Sequence, residues 1–198
     1  MLFRSLGERD LHGQPPYLRA AEGLTRTWQS TELFDDLNVA ENLTVAIREG
    51  TASEDVAKET LALVGMDWAA EAMPTQLSSG QRKLVGVARA LVAKPSLLCL
   101  DEPAAGLDTA ESEELGVTLR RLADAGQSML LIEHDMGLVL GICDRVVVLE
   151  FGQVIADGPP AVVRADPQVI AAYLGEGVAG GGGTPDLDVP VSGRPDGP

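Results

Sequence analysis

The sequence predicts an α/β fold with a parallel-sheet core and one long helical stretch. Three observations carry this reading. Ser96–Leu100 and Ser128–Glu133 are short, nearly continuous apolar runs, as in strands covered on both faces of a parallel sheet. Around them apolar residues recur at helical spacing, so strands and helices alternate and right-handed crossovers are expected. The long stretch from residue 31 to 92 shows helical spacing alone.

The elements follow in order. Met1–Gly13 is short and turn-rich, with Leu2 and Phe3 placed to end a strand. Pro15 and Pro16 suit the first turn of a helix over Pro16–Ala21, which Gly23 stops. Leu24–Trp28 reads as a strand ending at Gln29. Val39, Leu43 and Ala46–Ile47 define a helix over Asn38–Arg48. Ser53 is expected to cap the next helix, whose inner face is Val56, Ala57, Thr60, Leu61 and Val64, with Gly65 at its C′ position. Trp68–Met73 is a short helical piece stopped by Pro74. Ser79 and Gly80 open a helix over Gln81–Ala93, with Leu84, Val87, Ala88 and Leu91 inward. Thr109–Ala125 begins with Glu111, Glu113 and Glu114 and ends with Arg120 and Arg121, which suits the helix dipole. Met136–Cys143 is a short helix and Arg145–Leu149 a third strand, which Gln153–Ala156 can pair across the turn at Gly152. A helix over Ala161–Leu174 closes the ordered part. From Gly175 the chain holds 8 of its 22 glycines and 4 of its 12 prolines, so 175–198 is expected to be a disordered tail.

Composition excludes several classes. The 198 residues are 45% hydrophobic but 4% aromatic, so the core is aliphatic. The net charge of −15 argues against a nucleic-acid partner, which calls for a basic footprint. Cys99 and Cys143 stand far apart with no paired spacing, so neither a disulfide framework nor a zinc site is indicated. Arg4, Glu8, Arg9 and Asp10 interrupt any leader at the start, and no apolar run approaches the ~20 residues of a membrane span. The chain therefore reads as soluble and cytoplasmic.

Chemistry concentrates in LSSGQRKLVGVARALVAKPSLLCLDEPAAGLD, Leu77–Asp108. Asp101 and Glu102 end an apolar strand, where open α/β sheets bind their ligands. One carboxylate there can hold Mg²⁺, and its neighbour can orient and deprotonate a water. The plain reading is a solvated Asp-Glu-Pro turn. Ser78, Ser79 and Gly80 precede a helix, whose free N–H groups and positive dipole end favour phosphate; the plain reading is N-capping. His134 follows the second apolar strand and by itself reads as a structural histidine. Gln29 says little alone.

Taken together, these features resemble the ATP-binding subunit of ABC transporters, over nearly everything from Leu2 to Leu174. Leu77–Gln81 resembles the family signature, Leu97–Pro103 the Walker B strand with its catalytic Glu, and Ala105–Asp108 the D-loop, with Ala-Gly where Ser-Ala is usual. His134 matches the switch histidine and Gln29 the Q-loop glutamine. RTWQSTELFDDLNVAENL (Arg26–Leu43), DEPAAGLD, LLIEHDMGLVLGICDRVVVLEFGQVIADGPP and VIAAYLG are similar to the branched-chain amino-acid type of importer, and to the first of its two ATPase subunits. Importers of urea and other amides share much of this pattern.

The resemblance implies a P-loop NTPase-like ABC ATPase domain over residues 1–174, with a helical subdomain over about 31–92. It implies ATP and Mg²⁺ as ligands. Asp101 would hold Mg²⁺, Glu102 would polarise the water, His134 would contact the γ-phosphate, and Gln29 would sense metal and water. Ser78, Ser79, Gly80 and Gln81 would form the contact to ATP held by an opposite subunit, with Ser78 and Gly80 on its γ-phosphate. Asp108 would act across the dimer interface. Leu33 and Phe34 would lie near the groove for the permease's coupling helix. The implied partners are a second ABC ATPase subunit, integral-membrane permease subunits and, indirectly, a periplasmic or lipid-anchored substrate-binding protein. The implied location is the inner face of the cell membrane.

No Gly-x-x-x-x-Gly-Lys-Ser/Thr occurs in the sequence. Family members carry that P-loop upstream of the region matched here, so the chain reads as N-terminally truncated. It is then expected to be inactive alone and to complete only a partner's ATP site. The P-loop strand is expected beside the Walker B strand, leaving Leu97–Leu100 with an unpaired edge. The alternatives are a non-catalytic ABC-like dimerisation or regulatory module and an inactive gene product. A soluble ABC ATPase of DNA maintenance fits less well, since heptad insertions and basic patches are absent.

Overall fold

Parallel pairing at the centre of the chain builds the scaffold. The computed structural model describes residues 5–27, 32–47 and 53–178. The chain divides into two compact units, Met1–Cys143 and Asp144–Pro198.

The first unit opens with a small antiparallel ladder, β1 (Ser5–Leu6) against β2 (Arg9–Asp10), turning at Gly7. This hairpin is absent from the sequence reading, because two-residue strands carry no periodicity; Leu2 and Phe3 lie outside the described residues. After α1 (Pro16–Ala21), β3 (Leu24–Arg26) enters the sheet. Gly23 makes that entry possible. Its φ is +95°, and a Cβ there would come within 2.9 Å of Ser96 Oγ and 3.2 Å of the Ser96 amide nitrogen. Trp28 and Gln29 lie outside the described residues.

The three-stranded parallel sheet has the order β3–β4–β5, with β4 at Leu97–Asp101 and β5 at Met129–Ile132. Leu24 pairs with Leu97 on one side, and Leu98 with Met129 on the other. This corrects the expectation of an unpaired edge at Leu97–Leu100: that strand is hydrogen-bonded along both sides. Among the described residues the sheet instead ends at β3 on one side and β5 on the other. Nor is β5 buried on both faces. Met129 and Leu131 pack on the core, whereas Leu130 and Ile132 are exposed.

The helical segment is more broken than its spacing suggests. The expected helix to Arg48 is only α2 (Val39–Thr44), capped by Asn38 in a capping box with Glu41. Ser53 is the first residue of α3 (Ser53–Leu63), not its cap. Gly65 follows with φ +72°, and the Met66 amide returns to the Leu61 carbonyl at 2.9 Å. The piece expected over Trp68–Met73 is one 3₁₀ turn, Asp67–Ala69, and a second turn spans Pro74–Gln76. Helix α4 spans Ser79–Leu91 and places Leu84, Val85, Val87, Ala88 and Leu91 in the core. That core continues through Leu43, Leu61, Leu98, Leu100, Leu115 and Leu119. It is aliphatic, as the composition requires.

Helix α5 (Thr109–Asp124) links β4 to β5, and α6 (Met136–Ile142) packs on α5 at Gly116. A Cβ on Gly116 would stand 2.8 Å from Leu138 Cδ1. The Arg120 guanidinium also donates to the Ile142 carbonyl at 2.9 Å.

In the second unit, β6 (Val146–Glu150) and β7 (Gln153–Gly158) form an antiparallel hairpin. The third strand expected over Arg145–Leu149 thus pairs with the Gln153–Ala156 segment across the turn at Gly152, as its sequence suggested, in a two-stranded sheet of its own. Arg145 and Asp157 brace the hairpin through two charged hydrogen bonds, at 2.8 and 2.7 Å. The single helix expected over Ala161–Leu174 is two, α7 (Pro160–Arg164) and α8 (Pro167–Val178). Pro167 starts the second, and the Asp166 side chain accepts from the Gln168 amide at 2.8 Å. Helix α8 also continues past Gly175, where the tail was expected to begin; the remainder, from residue 179, lies outside the described residues.

Candidate functional site

The site residues gather where β4 and β5 end and where α4 and α5 begin. Asp101 is the last residue of β4, and Arg26 of β3 reaches it, Nη2 to Oδ2 at 2.5 Å. Glu102 follows with φ +45°, a left-handed backbone that a non-glycine residue adopts at a cost. Its amide donates to the Ile132 carbonyl at 2.8 Å, which fixes the turn to the end of β5.

Glu133 is a further carboxylate, and its side chain is 1% exposed. Its Oε1 accepts from the Ala104 amide at 2.8 Å, and its Oε2 from the His134 amide at 3.2 Å. It therefore pins the chain just after Glu102 to the chain just before His134. The His134 imidazole is 77% exposed, with Nδ1 3.7 Å from Glu133 Oε2. Lys83 on α4 faces the same group of acids. Desolvation holds its ammonium below the ordinary lysine range, opposed by the charges of Glu133 and Glu102.

The second half is built on two helix starts. Ser78 is the N-cap of α4, and its Oγ accepts from the Gln81 amide at 3.3 Å. Gln81 Oε1 accepts from the Ser78 amide at 2.9 Å, so Gln81 closes a capping box. Ser79 is exposed in the first turn and Gly80 is buried beside it. Asp108 caps α5, accepting from the Glu111 amide at 2.8 Å. Glu111 crosses to α4, where its Oε1 accepts from Ser78 Oγ and from the Gly80 amide, each at 2.9 Å. The Gly80 amide first, and the Ser78 hydroxyl next, hold the Glu111 carboxyl below the usual carboxylate range.

Gln29 lies outside the described residues. Just beyond it, Leu33 is buried while Phe34 is 47% exposed. The fully buried Asn42 anchors this segment. It accepts from the Phe34 amide at 2.8 Å and donates to the carbonyls of Phe34, Leu37 and Asn38. Arg89 of α4 donates to the Glu32 carbonyl at 2.8 Å.

Among the described residues no group of three or more His, Cys, Asp or Glu could hold a metal ion. Those residues form no dedicated protein cage. Mg²⁺ does not ask for one: it takes one or two carboxylates and completes its shell with water and phosphate oxygens. Asp101, a partly exposed carboxylate at a strand end, fits that use once Arg26 shifts. Arg26, Lys83, Glu111 and Glu133 are polar site neighbours that the sequence reading missed as such. Each meets its partners through tertiary contacts, and only the acidic first turn of α5 hinted at Glu111.

Comparisons with known proteins agree on one family. The model of the "ABC transporter" family matches residues 8–105, and that of the "Branched-chain amino acid ATP-binding cassette transporter" matches residues 153–179. The high-affinity branched-chain amino acid transport ATP-binding protein LivG of Salmonella typhimurium is 38% identical over 192 residues, covering 87% of this chain and 75% of that protein. BraF of Pseudomonas aeruginosa, named in the same way, is 35% identical over 195 residues, covering 88% and 76%. A solved ATP-binding cassette of an ABC transporter superposes with a TM-score of 0.73 at 26% identity, covering 83% of this chain and 74% of that one. Its ADP conformation gives 0.70.

Proposed function

The chain belongs to the ATP-binding cassette transporter family, in the branched-chain amino-acid group of its ATP-binding proteins, and from that premise we propose that it couples ATP to the import of branched-chain amino acids. The observation that carries this reading is the Ser78–Gly80 pair. Two donors from one helix start converge on a single anionic oxygen, each at 2.9 Å. The same two donors suit a γ-phosphate oxygen presented by a second ATP-binding subunit. Asp108 sits at the adjoining helix start, on the same interface.

In the second half-site, Asp101 would hold Mg²⁺, which when bound neutralises charge on the phosphates. Glu102 orients the attacking water and takes its proton. His134 donates toward the γ-phosphate from an exposed position at the end of β5. Glu133 keeps Glu102 and His134 in register by holding the backbone between them. Gln29 couples the metal and water to the permease, and the exposed Phe34 lies on that contact face. No described helix is long and apolar enough to cross a membrane, which accords with docking on permease subunits at the inner membrane face.

These 198 residues hold no phosphate-cradling P-loop pattern. We assign Ser78, Gly80 and Asp108 the role of completing a partner's ATP site. The test is ATP-dependent association with an intact ATP-binding subunit of the same importer group, followed by sedimentation. The expected result is association in Mg²⁺-ATP that Gly80→Asp abolishes. Association without ATP, or association indifferent to Gly80→Asp, overturns the reading.

The Arg26–Asp101 ion pair favours a second reading, a non-catalytic module that dimerises with an intact subunit and regulates it. Nucleotide binding separates the two: no binding alone together with stimulation of the intact subunit supports the module.

A further inference from the structure

The two donors of Ser78 and Gly80 are already filled by a residue of the same chain. Glu111 stands three positions after the N-cap Asp108, where a glutamate ordinarily turns back to the cap's own amide. Glu41 does so at α2, its Oε2 accepting from the Asn38 amide at 2.7 Å. Glu111 instead crosses 31 positions to the Gly80 amide. It thereby sits at the positive ends of two helices, of 13 and 16 residues. Gly80 is what lets it approach. A Cβ there would stand 3.1 Å from Glu111 Cβ and 3.2 Å from its Cγ and Oε1.

We propose that Glu111 is a built-in stand-in for phosphate, a latch that holds the signature donors until a partner's nucleotide displaces it. The proposal rests on the reading of Ser78 and Gly80 as nucleotide-facing. One carboxylate oxygen takes both donors, and a phosphate oxygen at the same point would face a like charge. Occupancy is therefore exclusive. The resting chain is self-satisfied at this surface, and an ATP-bound partner must compete for it.

The test uses the full chain, isotope-labelled, with inorganic phosphate as the probe and the Gly80 and Gln81 amide resonances as the readout. In Glu111→Ala these amides should shift saturably with phosphate, about tenfold more tightly than in the wild type, the equivalent of one charge-assisted hydrogen bond. Glu111→Gln keeps the side chain's size without its charge, should fall between them, and serves if the alanine variant does not fold. An equal response in wild type and both variants, or none at Gly80 in either variant, overturns the latch. A second arm measures the ATP concentration for association with an intact ATP-binding subunit. A lower requirement in Glu111→Ala supports the latch, and an unchanged one overturns it. Failure of all ATP-dependent association, with the phosphate response present, refutes the nucleotide reading while supporting competition between Glu111 and an anion.

Discussion

Single side chains do unusual work in this molecule where they satisfy several buried groups at once. Asn42 is fully buried and meets the backbone at four points, including both polar groups of Phe34. Asn42→Leu would leave the Phe34 amide and the Leu37 carbonyl without these partners, at roughly 1–3 kcal/mol for each that stays dry, while the Leu37 and Asn42 amides still serve the Phe34 and Asn38 carbonyls. The expected loss is about 3 kcal/mol, read as a lower denaturant midpoint at unchanged slope. A loss below about 1 kcal/mol would mean that water replaces the amide. Glu111 and Asp157 supply a pH test. Hydrogen bonds from Gly80 and Ser78 depress the first carboxyl, and Arg145 depresses the second. A carboxylate depressed in the folded state adds stability that is complete above its unfolded value, about 4.3 for Glu and 3.9 for Asp. That stability is lost as pH falls through the folded value. In thermal melts the advantage of wild type over Glu111→Gln should hold between about pH 7 and 5 and vanish on further acidification. An advantage that grows in acid contradicts the contact.

Elements here are joined at close approaches as much as by apolar stripes. Helix α6 lies on α5 because Gly116 has no Cβ; one would come within 2.8 Å of Leu138 Cδ1. Gly116→Val should push α6 away, also stretching the Arg120 bond to the Ile142 carbonyl, and cost about 2 kcal/mol as overpacking. Chemical denaturation measures the cost, and a neutral result would mean that α6 moves freely. Local signals announced many of these elements. The apolar run Leu97–Leu100, the serine at the start of α4 and Gly65 after α3 each act over a few residues, and each was legible. The break at Asp166–Pro167 was written just as locally, yet the apolar residues on either side of it read as one helix. The Glu111 contact was not legible. Its partners lie 31 and 33 positions away, and the glutamate at that place already had a sufficient local explanation in the helix dipole.

At the scale of the molecule, strand order is what the sequence withheld. An apolar run states that a strand is covered, not which strands flank it. Leu97–Asp101 is the middle strand, and among the described residues the open edges belong to Leu24–Arg26 and Met129–Ile132. With Leu130 and Ile132 exposed on that strand, the purified chain should self-associate through it. Leu130→Lys is expected to lower concentration-dependent light scattering while leaving the circular dichroism spectrum in place. Scattering that persists unchanged places the sticky surface elsewhere.

The position of β4 also bears on how the chain folds. Its pairing with β5 spans one helix, whereas its pairing with β3 joins Leu24 to Leu97, across more than twice as much chain. Closing the longer loop costs more entropy, so β4, α5 and β5 should form as an early unit with β3 docking afterwards. Thr25→Ala in β3 would then speed unfolding with little effect on the refolding rate, whereas Leu115→Ala in α5 would slow refolding. The ion pair on Asp101 would be among the last contacts made, and among the first to be lost when the sheet opens.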